Sequence, residues 1–203
     1  MKDKSFEKSA KALAAVFLKR NIALVYGGGS VGLMGALSVA IANGGGKLTG
    51  VIPAALYPKE LSGDSSHIKT NIMVDNMHVR KDTMNKLSDA FIAMPGGVGT
   101  LEELFEMLTW QCLDVHHKPI GILNINGYYD GLLTFLASAA KVGFISQIDC
   151  SRLIVDSDPA KLIDKIQNAV VVKSKYNFDW TRKGISSEEL ERIVSQDSMS
   201  ESE

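Results

Sequence analysis

At 203 residues, 45% hydrophobic and 22% charged, the chain is long enough for one globular domain with a sizeable core. Its formal net charge of -1 gives no basic footprint for nucleic acid or an anionic membrane, and no apolar run approaches the length needed to span a bilayer. Two cysteines, Cys112 and Cys150, with no metal-type spacing and no secretory leader before them, point to a reduced, cytoplasmic setting.

Over residues 6–20 the apolar Phe6, Ala10, Leu13, Ala14, Phe17 and Leu18 recur at helical spacing, leaving Lys8, Lys11, Lys19 and Arg20 for a wet side. The sequence therefore opens on a helix. Ile22-Ala23-Leu24-Val25-Tyr26 reads as a buried strand stopped by Gly27-Gly28-Gly29, and a helix of small residues over 33–43 is ended by Gly44. Gly27, Gly29 and Gly32 fit the spacing of dinucleotide loops. The acidic residue expected about 20 positions on is replaced by Val51-Ile52-Pro53, which argues against a nicotinamide cofactor. A loop that packs against a nucleotide, or simply turns tightly, explains these glycines as well.

A strand is expected over 48–52, followed by a long loop over 53–69 with Pro53, Pro58, Glu60, Gly63 and Asp64, a length that is often functional. A short strand over 71–74 leads to Asp75-Asn76, the cap of a helix over 77–87 whose start carries His78, Arg80 and Lys81. Cations there oppose the helix dipole, so Arg80 and Lys81 are candidates for holding an anion, against the default reading of a solvated basic pair.

The sequence is organised around residues 90–113. Ala90-Phe91-Ile92-Ala93-Met94 reads as a buried strand, Pro95-Gly96-Gly97-Val98-Gly99 as a turn, and Thr100 to Leu113 as a helix. Glycines allow close backbone approach and free N–H groups at a helix start favour an anion, so Gly96 to Thr100 form a candidate phosphate cradle. Glu103 has two compatible readings. A carboxylate beside a phosphate site suits chemistry better than binding, whereas Thr100 as N-cap with Glu103 three residues on makes a capping box that needs no function. Leu101, Leu104, Phe105, Met107, Leu108, Trp110, Cys112 and Leu113 cover most of the helix circumference, which predicts burial on two sides, by the sheet and by a partner subunit or another helix.

Residues 114–118 form a connector; the adjacent His116 and His117 point different ways and lack accompanying ligands, so no metal site is expected. A strand over 119–124, a turn at Asn126-Gly127, a helix over 129–142, a strand over 153–155 and a helix from Asp158-Pro159 to about residue 169 complete the domain. Residues 1–172 are expected to form the domain and 173–203 a polar tail, disordered towards its acidic end. Alternating strands and helices predict an α/β fold, a Rossmann-like doubly wound parallel sheet covered on both faces, with ligands at the carboxyl ends of the strands.

Met77-His78-Val79-Arg80-Lys81 followed by Pro95-Gly96-Gly97-Val98-Gly99-Thr100-Leu101-Glu102-Glu103 resembles the signature pair of the Lonely Guy family of cytokinin riboside 5'-monophosphate phosphoribohydrolases. Tyr26-Gly27-Gly28-Gly29, Gly32-Leu33-Met34-Gly35 and Val51-Ile52-Pro53 match the same pattern, and the resemblance spans residues 6–172. It implies a Rossmann-like homodimer that needs no cofactor and hydrolyses the N-glycosidic bond of an N6-modified adenosine monophosphate to free base and ribose 5-phosphate. Arg80 and Glu103 fall on the residues held to be catalytic. Glu60, Lys81, the loop Gly96, Gly97, Val98, Gly99 and Thr100, with Glu102, Thr109, Gly28 and Gly29, fall on the substrate side. Members are often labelled lysine decarboxylases, but no lysine here is a candidate for a pyridoxal Schiff base. Family members usually begin with a strand and a Cys-Gly-Ser or similar loop, and this sequence starts at the following helix. The resemblance thus implies a sheet without its first, central strand, which leaves unpaired backbone in the core or requires another completion. A broader nucleotide 5'-monophosphate nucleosidase and a non-catalytic nucleotide or cofactor carrier are the alternatives; the carrier has no need of Glu103.

Overall fold

The computed structural model describes residues 3–57 and 70–174, with 176, 178–180, 184 and 186 beyond them. Most of the loop expected over 53–69, Glu60 included, and nearly all of the acidic tail lie outside the described residues.

Helix α1 (Lys4–Lys19) is capped by Asp3, whose carboxylate accepts the Ser5 N–H at 2.8 Å, and buries Ala10, Leu13, Ala14 and Phe17 of the stripe read from the sequence, with Phe6 and Leu18 half-buried. Strand β1 (Leu24–Tyr26), helix α2 (Gly32–Asn43), β2 (Leu48–Pro53), β3 (Asn71–Val74) and α3 (Met77–Leu87) follow. Then come β4 (Phe91–Ala93), α4 (Val98–Cys112), β5 (Ile120–Leu123), a 3-10 turn at Ile125–Gly127, α5 (Asp130–Lys141), a short α6 (Gln147–Cys150), β6 (Leu153–Asp156) and α7 (Pro159–Gln167). Only α6 among these was not anticipated. It is four residues long, capped by Ser146, and too short to leave a periodicity.

All strand pairs are parallel, but they form two sheets of three, in the orders β1-β2-β3 and β4-β5-β6. Helices cover both faces, as an α/β fold requires. One apolar cluster gathers Leu13, Phe17, Leu37, Ile41 and Ile163 from α1, α2 and α7 over the strands; the other gathers Leu104, Met107, Leu108, Ile120, Ile122 and Tyr129. Each side chain fully buried in these clusters contributes about 1.5–3 kcal/mol.

Helix α4 departs from expectation at its start. Its N-cap is Gly97, with no side-chain cap, and Thr100 is its third residue. The capping-box reading of Thr100 and Glu103 is therefore wrong: the helix begins one turn earlier, because glycine can cap without a side chain. The expectation of burial on two sides is met only in part, since Leu104, Met107, Leu108 and Gln111 are buried while Leu101, Phe105, Trp110 and Cys112 are half-buried. Among the described residues beyond Val172, the Ser174 N–H donates to Asp114 at 2.8 Å and the Trp180 indole N–H donates to the Leu113 carbonyl at 2.9 Å, while Tyr176 stacks on Phe178, which meets Trp180 edge-on.

Candidate active site

The site forms at the carboxyl ends of β1, β2 and β4. The glycine loop after β1 is buried and takes φ 78° at Gly28, a left-handed conformation that favours glycine. The loop after β4 is held from outside by two neighbouring tyrosines. Tyr128 Oη donates to the Gly96 carbonyl at 2.7 Å and Tyr129 Oη to the Met94 carbonyl at 2.6 Å. Burial pushes the Tyr129 hydroxyl up to about 12, so it remains a donor throughout the physiological range. Gly97, Val98 and Gly99 are exposed, and the opening N–H groups of α4 have no side-chain cap. An exposed, uncapped helix start is suited to an anion.

Helix α3 supplies the charges. Its N-cap Asn76 accepts the Val79 N–H at 3.0 Å, and the face it buries consists of Arg80, Lys81 and Asn85. Arg80 and Lys81 are each 6% exposed, so the solvated-pair reading is wrong. The Arg80 guanidinium is fixed on three sides. Nε donates to the Val51 carbonyl at 3.1 Å, Nη2 donates to the Gly27 carbonyl at 3.3 Å, and Nη1 lies 3.2 Å from Glu103 Oε1. A Cβ on Gly27 would overlap that guanidinium, which gives the first glycine of the loop a reason beyond turning. The Lys81 ammonium lies against both Glu102 and Glu106. Burial works against its charge, but the hydrogen bonds and charges of Glu102 and Glu106 outweigh it and raise its pKa. Neither cation stands unengaged for an anion, as the sequence had suggested; each is held by a carboxylate of α4.

Arg80, Glu103, Lys81, Glu102, Gly27 and the loop from Gly96 to Thr100 thus come together. Gly28 and Gly29 stand behind them as backbone, and the Thr100 side chain fills the space that a Cβ on Gly96 would need. Thr109 is not brought in: it is exposed, two helical turns beyond Glu102 along α4. Tyr128, Tyr129 and Glu106 were missed. Glu106 was visible as the residue one turn beyond Glu102, whereas nothing local marks the tyrosines as anchors of a loop 30 residues away. The two histidines have separate partners, and His117 Nε2 lies 3.2 Å from Asp114 Oδ1. His116 Nδ1 accepts the Lys118 N–H at 3.1 Å, so its Nε2 carries the proton and donates to the Met107 carbonyl at 2.9 Å. Among the described residues no cluster of three or more His, Cys, Asp or Glu is arranged for a metal.

Residues 34–166 match a family model described as possible lysine decarboxylase. A cytokinin riboside 5'-monophosphate phosphoribohydrolase of Arabidopsis thaliana is 46% identical over 188 residues, covering 90% of this chain and 86% of the relative. A probable enzyme of the same name from Oryza sativa subsp. japonica is 44% identical over 185 residues, covering 88% and 75%. Among solved structures, the molybdenum cofactor carrier protein of Chlamydomonas reinhardtii superposes with a TM-score of 0.61 at 21% identity, over 81% of this chain and 88% of that one. The molybdenum cofactor binding protein of Rippkaea orientalis gives 0.60 at 23% identity with the same coverage. At that identity these two structures speak for the fold alone.

Proposed function

The chain belongs to the Lonely Guy family of cytokinin riboside 5'-monophosphate phosphoribohydrolases, and from that premise we propose that it hydrolyses N6-modified adenosine 5'-monophosphates to free base and ribose 5-phosphate, with Arg80 and Glu103 as its catalytic pair. The observation that carries this reading is the 3.2 Å contact between the buried Arg80 guanidinium and Glu103, set between two glycine loops at the carboxyl edge of the strands.

Breaking the ribosyl bond sends its electron pair to the base nitrogen and builds positive charge on the sugar. Glu103 stabilises that charge and takes a proton from the water that attacks the anomeric carbon, while the leaving base takes up a proton. Arg80 holds Glu103 in place, and its fixed planar fork is a geometry that lysine cannot copy. The phosphate sits on the N–H groups of Val98, Gly99 and Thr100, where the helix dipole favours an anion. Lys81, clasped by Glu102 and Glu106, ties α3 to the start of α4 beside the loop, and Gly28 and Gly29 border the nucleotide's surroundings.

The enzyme acts as a homodimer. Exposed Met77 and Val79 beside Arg80 support a second subunit at this edge. Cys112 and Cys150 are free thiols, which supports a cytoplasmic setting. Nucleic acid is not a partner, in keeping with the net charge of -1.

The test is release of free base from isopentenyladenosine monophosphate and from AMP, side by side, with the corresponding nucleosides as controls. Strong preference for the modified monophosphate is expected. Equal use of AMP replaces the reading with a broader nucleosidase, and nucleotide binding without release replaces it with a carrier.

A further inference from the structure

At the amino ends of β5 and β6, the edge opposite the glycine loops, lies a cavity of about 310 Å³. Pro119 leads into β5, Ser151 and Arg152 lead into β6, and residues 169–172 after α7 form a further wall. The volume falls in the range of small-molecule sites, about 300–1,000 Å³, and Pro119, Ile148, Ile154, Val170 and Val172 make the walls largely apolar. Gln111 is the polar wall, about 12 Å further along the α4 axis than Glu103. It is 2% exposed, and its Nε2 donates to the Lys118 carbonyl at 2.7 Å. A carbonyl can only accept, which fixes the orientation of the amide. Its Oε1 is buried and has no hydrogen-bond partner among the described residues, an uncommon state for such an acceptor. The cations of the cavity are already paired. Arg152, whose side chain is 4% exposed, donates from Nε to Asp149 at 2.8 Å and from Nη1 to the Val172 carbonyl at 2.6 Å, and Lys165 Nζ lies 2.8 Å from Asp156. Such walls favour a neutral ligand over an anion.

We propose that this cavity binds a neutral nitrogen heterocycle through Gln111, and that the free base released by the reaction is such a ligand. The amide sets the class. Oε1 calls for an N–H or O–H donor, and the second Nε2 proton, beside it in the same plane, calls for an acceptor next to that donor. A ring N–H adjacent to a ring nitrogen offers this pair, in the same two-point manner in which a glutamine amide reads an adenine edge. In a purine the pair is N9–H and N3. It exists only in the free base, because in a nucleotide N9 carries the ribose. A purine base is uncharged at neutral pH, as the paired cations require, and an alkyl group on its N6 finds the apolar walls. The cavity therefore selects base over nucleotide, the reverse of the preference proposed for the glycine-loop site. Only the choice of this base rests on the proposed hydrolysis; the chemistry of the cavity does not.

The test titrates isopentenyladenine, and separately its 9-methyl derivative, into the full chain. Nitrogen-15 NMR follows the Gln111 side-chain amide and the backbone amides of Ile154 and Val171, with those of Gly97 and Gly99 reporting the glycine-loop site. Saturable shifts at Gln111, Ile154 and Val171 are expected, with a Kd of about 1 mM or tighter. The 9-methyl derivative, which has no N9–H to give Oε1, is expected to bind there at least about tenfold more weakly. Gln111→Met removes the acceptor at similar volume and is expected to abolish the preference between the two probes, read at Ile154 and Val171. Because that variant leaves the Lys118 carbonyl without its donor, the comparison of the two probes on the unmodified chain decides the matter should the variant fold poorly. Shifts confined to Gly97 and Gly99, equal affinity for the 9-methyl derivative, or no saturable shift at Gln111 overturns the proposal. None of these readouts needs turnover, so failure of this site and failure of the proposed hydrolysis are told apart.

Discussion

Replacing Glu103 with glutamine removes one negative charge while keeping an oxygen at nearly the same place, so it separates chemistry from architecture. On the stability side, the lost partner is the buried Arg80 guanidinium at 3.2 Å. Opposite charges about 4 Å apart near a protein surface interact by about 4 kcal/mol before desolvation. The Glu103 side chain is 35% exposed, so water already screens part of that interaction. The glutamine oxygen still accepts from Nη1, and Val51 and Gly27 still hold the other donors of the fork. A net cost of about 1–2 kcal/mol follows, which lowers the unfolding temperature by about 2–8 °C and leaves the protein folded at 25 °C. On the chemical side, loss of a positioned general base and of the charge facing a cationic sugar is expected to reduce kcat by about 10²- to 10⁴-fold, equivalent to roughly 3–5 kcal/mol. The assay is chromatographic release of base from isopentenyladenosine monophosphate at saturating substrate, with the unfolding temperature of the same preparation. A kcat within threefold of the parent protein would refute the catalytic role of Glu103 and leave it as a structural partner of Arg80.

Gly27→Ala puts a methyl group where the Arg80 guanidinium lies, at a glycine whose own backbone is not left-handed. The expected result is a loss of kcat of about tenfold or more with a stability cost of about 1–3 kcal/mol, read by turnover and urea denaturation; normal kcat would separate Arg80 placement from catalysis. Tyr128→Phe removes the hydroxyl that holds the Gly96 carbonyl, and since Tyr128 is exposed, stability should barely change while KM for the nucleotide rises several-fold; unchanged KM would show that the loop holds its shape unaided. Burial lowers the His116 pKa below its usual 6.5, so the unfolded chain binds the extra proton first as pH falls. Stability is therefore full above pH 6.5 and declines below it, by at most about 1.4 kcal/mol per pH unit, and His116→Gln should flatten that part of a urea-denaturation pH profile.

Local patterns were legible because their physics is local. The stripe of Ala10, Leu13, Ala14 and Phe17, the strand Asn71–Val74 and the helix Met77–Leu87 were read with the observed burial or bounds. The start of α4 was misread because a glycine N-cap leaves no side-chain signal, while Thr100 and Glu103 imitate a capping box. The membership of Arg80 and Glu103 in one site was legible from the paired motifs, but their engagement was not. Whether a cation meets solvent, phosphate or a carboxylate depends on the approach of two helices separated by a strand. The same is true of Tyr128 and Tyr129, whose partners Gly96 and Met94 are more than 30 residues away in sequence.

The adjacent pairs Arg80-Lys81 and Glu102-Glu103 explain why this site is also a joint. Consecutive residues on a helix point about 100° apart, so α3 presents its two cations in different directions and α4 meets each with a different carboxylate. Arg80 reaches Glu103, while Lys81 lies against Glu102 and, one turn further on, Glu106. Helix α3 packs on β1 and β2, whereas α4 follows β4. The double clasp therefore ties one half-sheet to the other at the edge where the substrate is proposed to bind. Lys81→Met leaves Glu102, whose side chain is 47% exposed, and Glu106, 20% exposed, facing each other without a cation; water screens that repulsion, so the expected destabilisation is about 1–2 kcal/mol. Pairing it with Glu106→Gln should recover part of that loss, because the mutual repulsion of the two carboxylates is then gone. If the double variant is as unstable as the sum of the two single ones, Lys81 and Glu106 are not coupled and the clasp does not act as a unit.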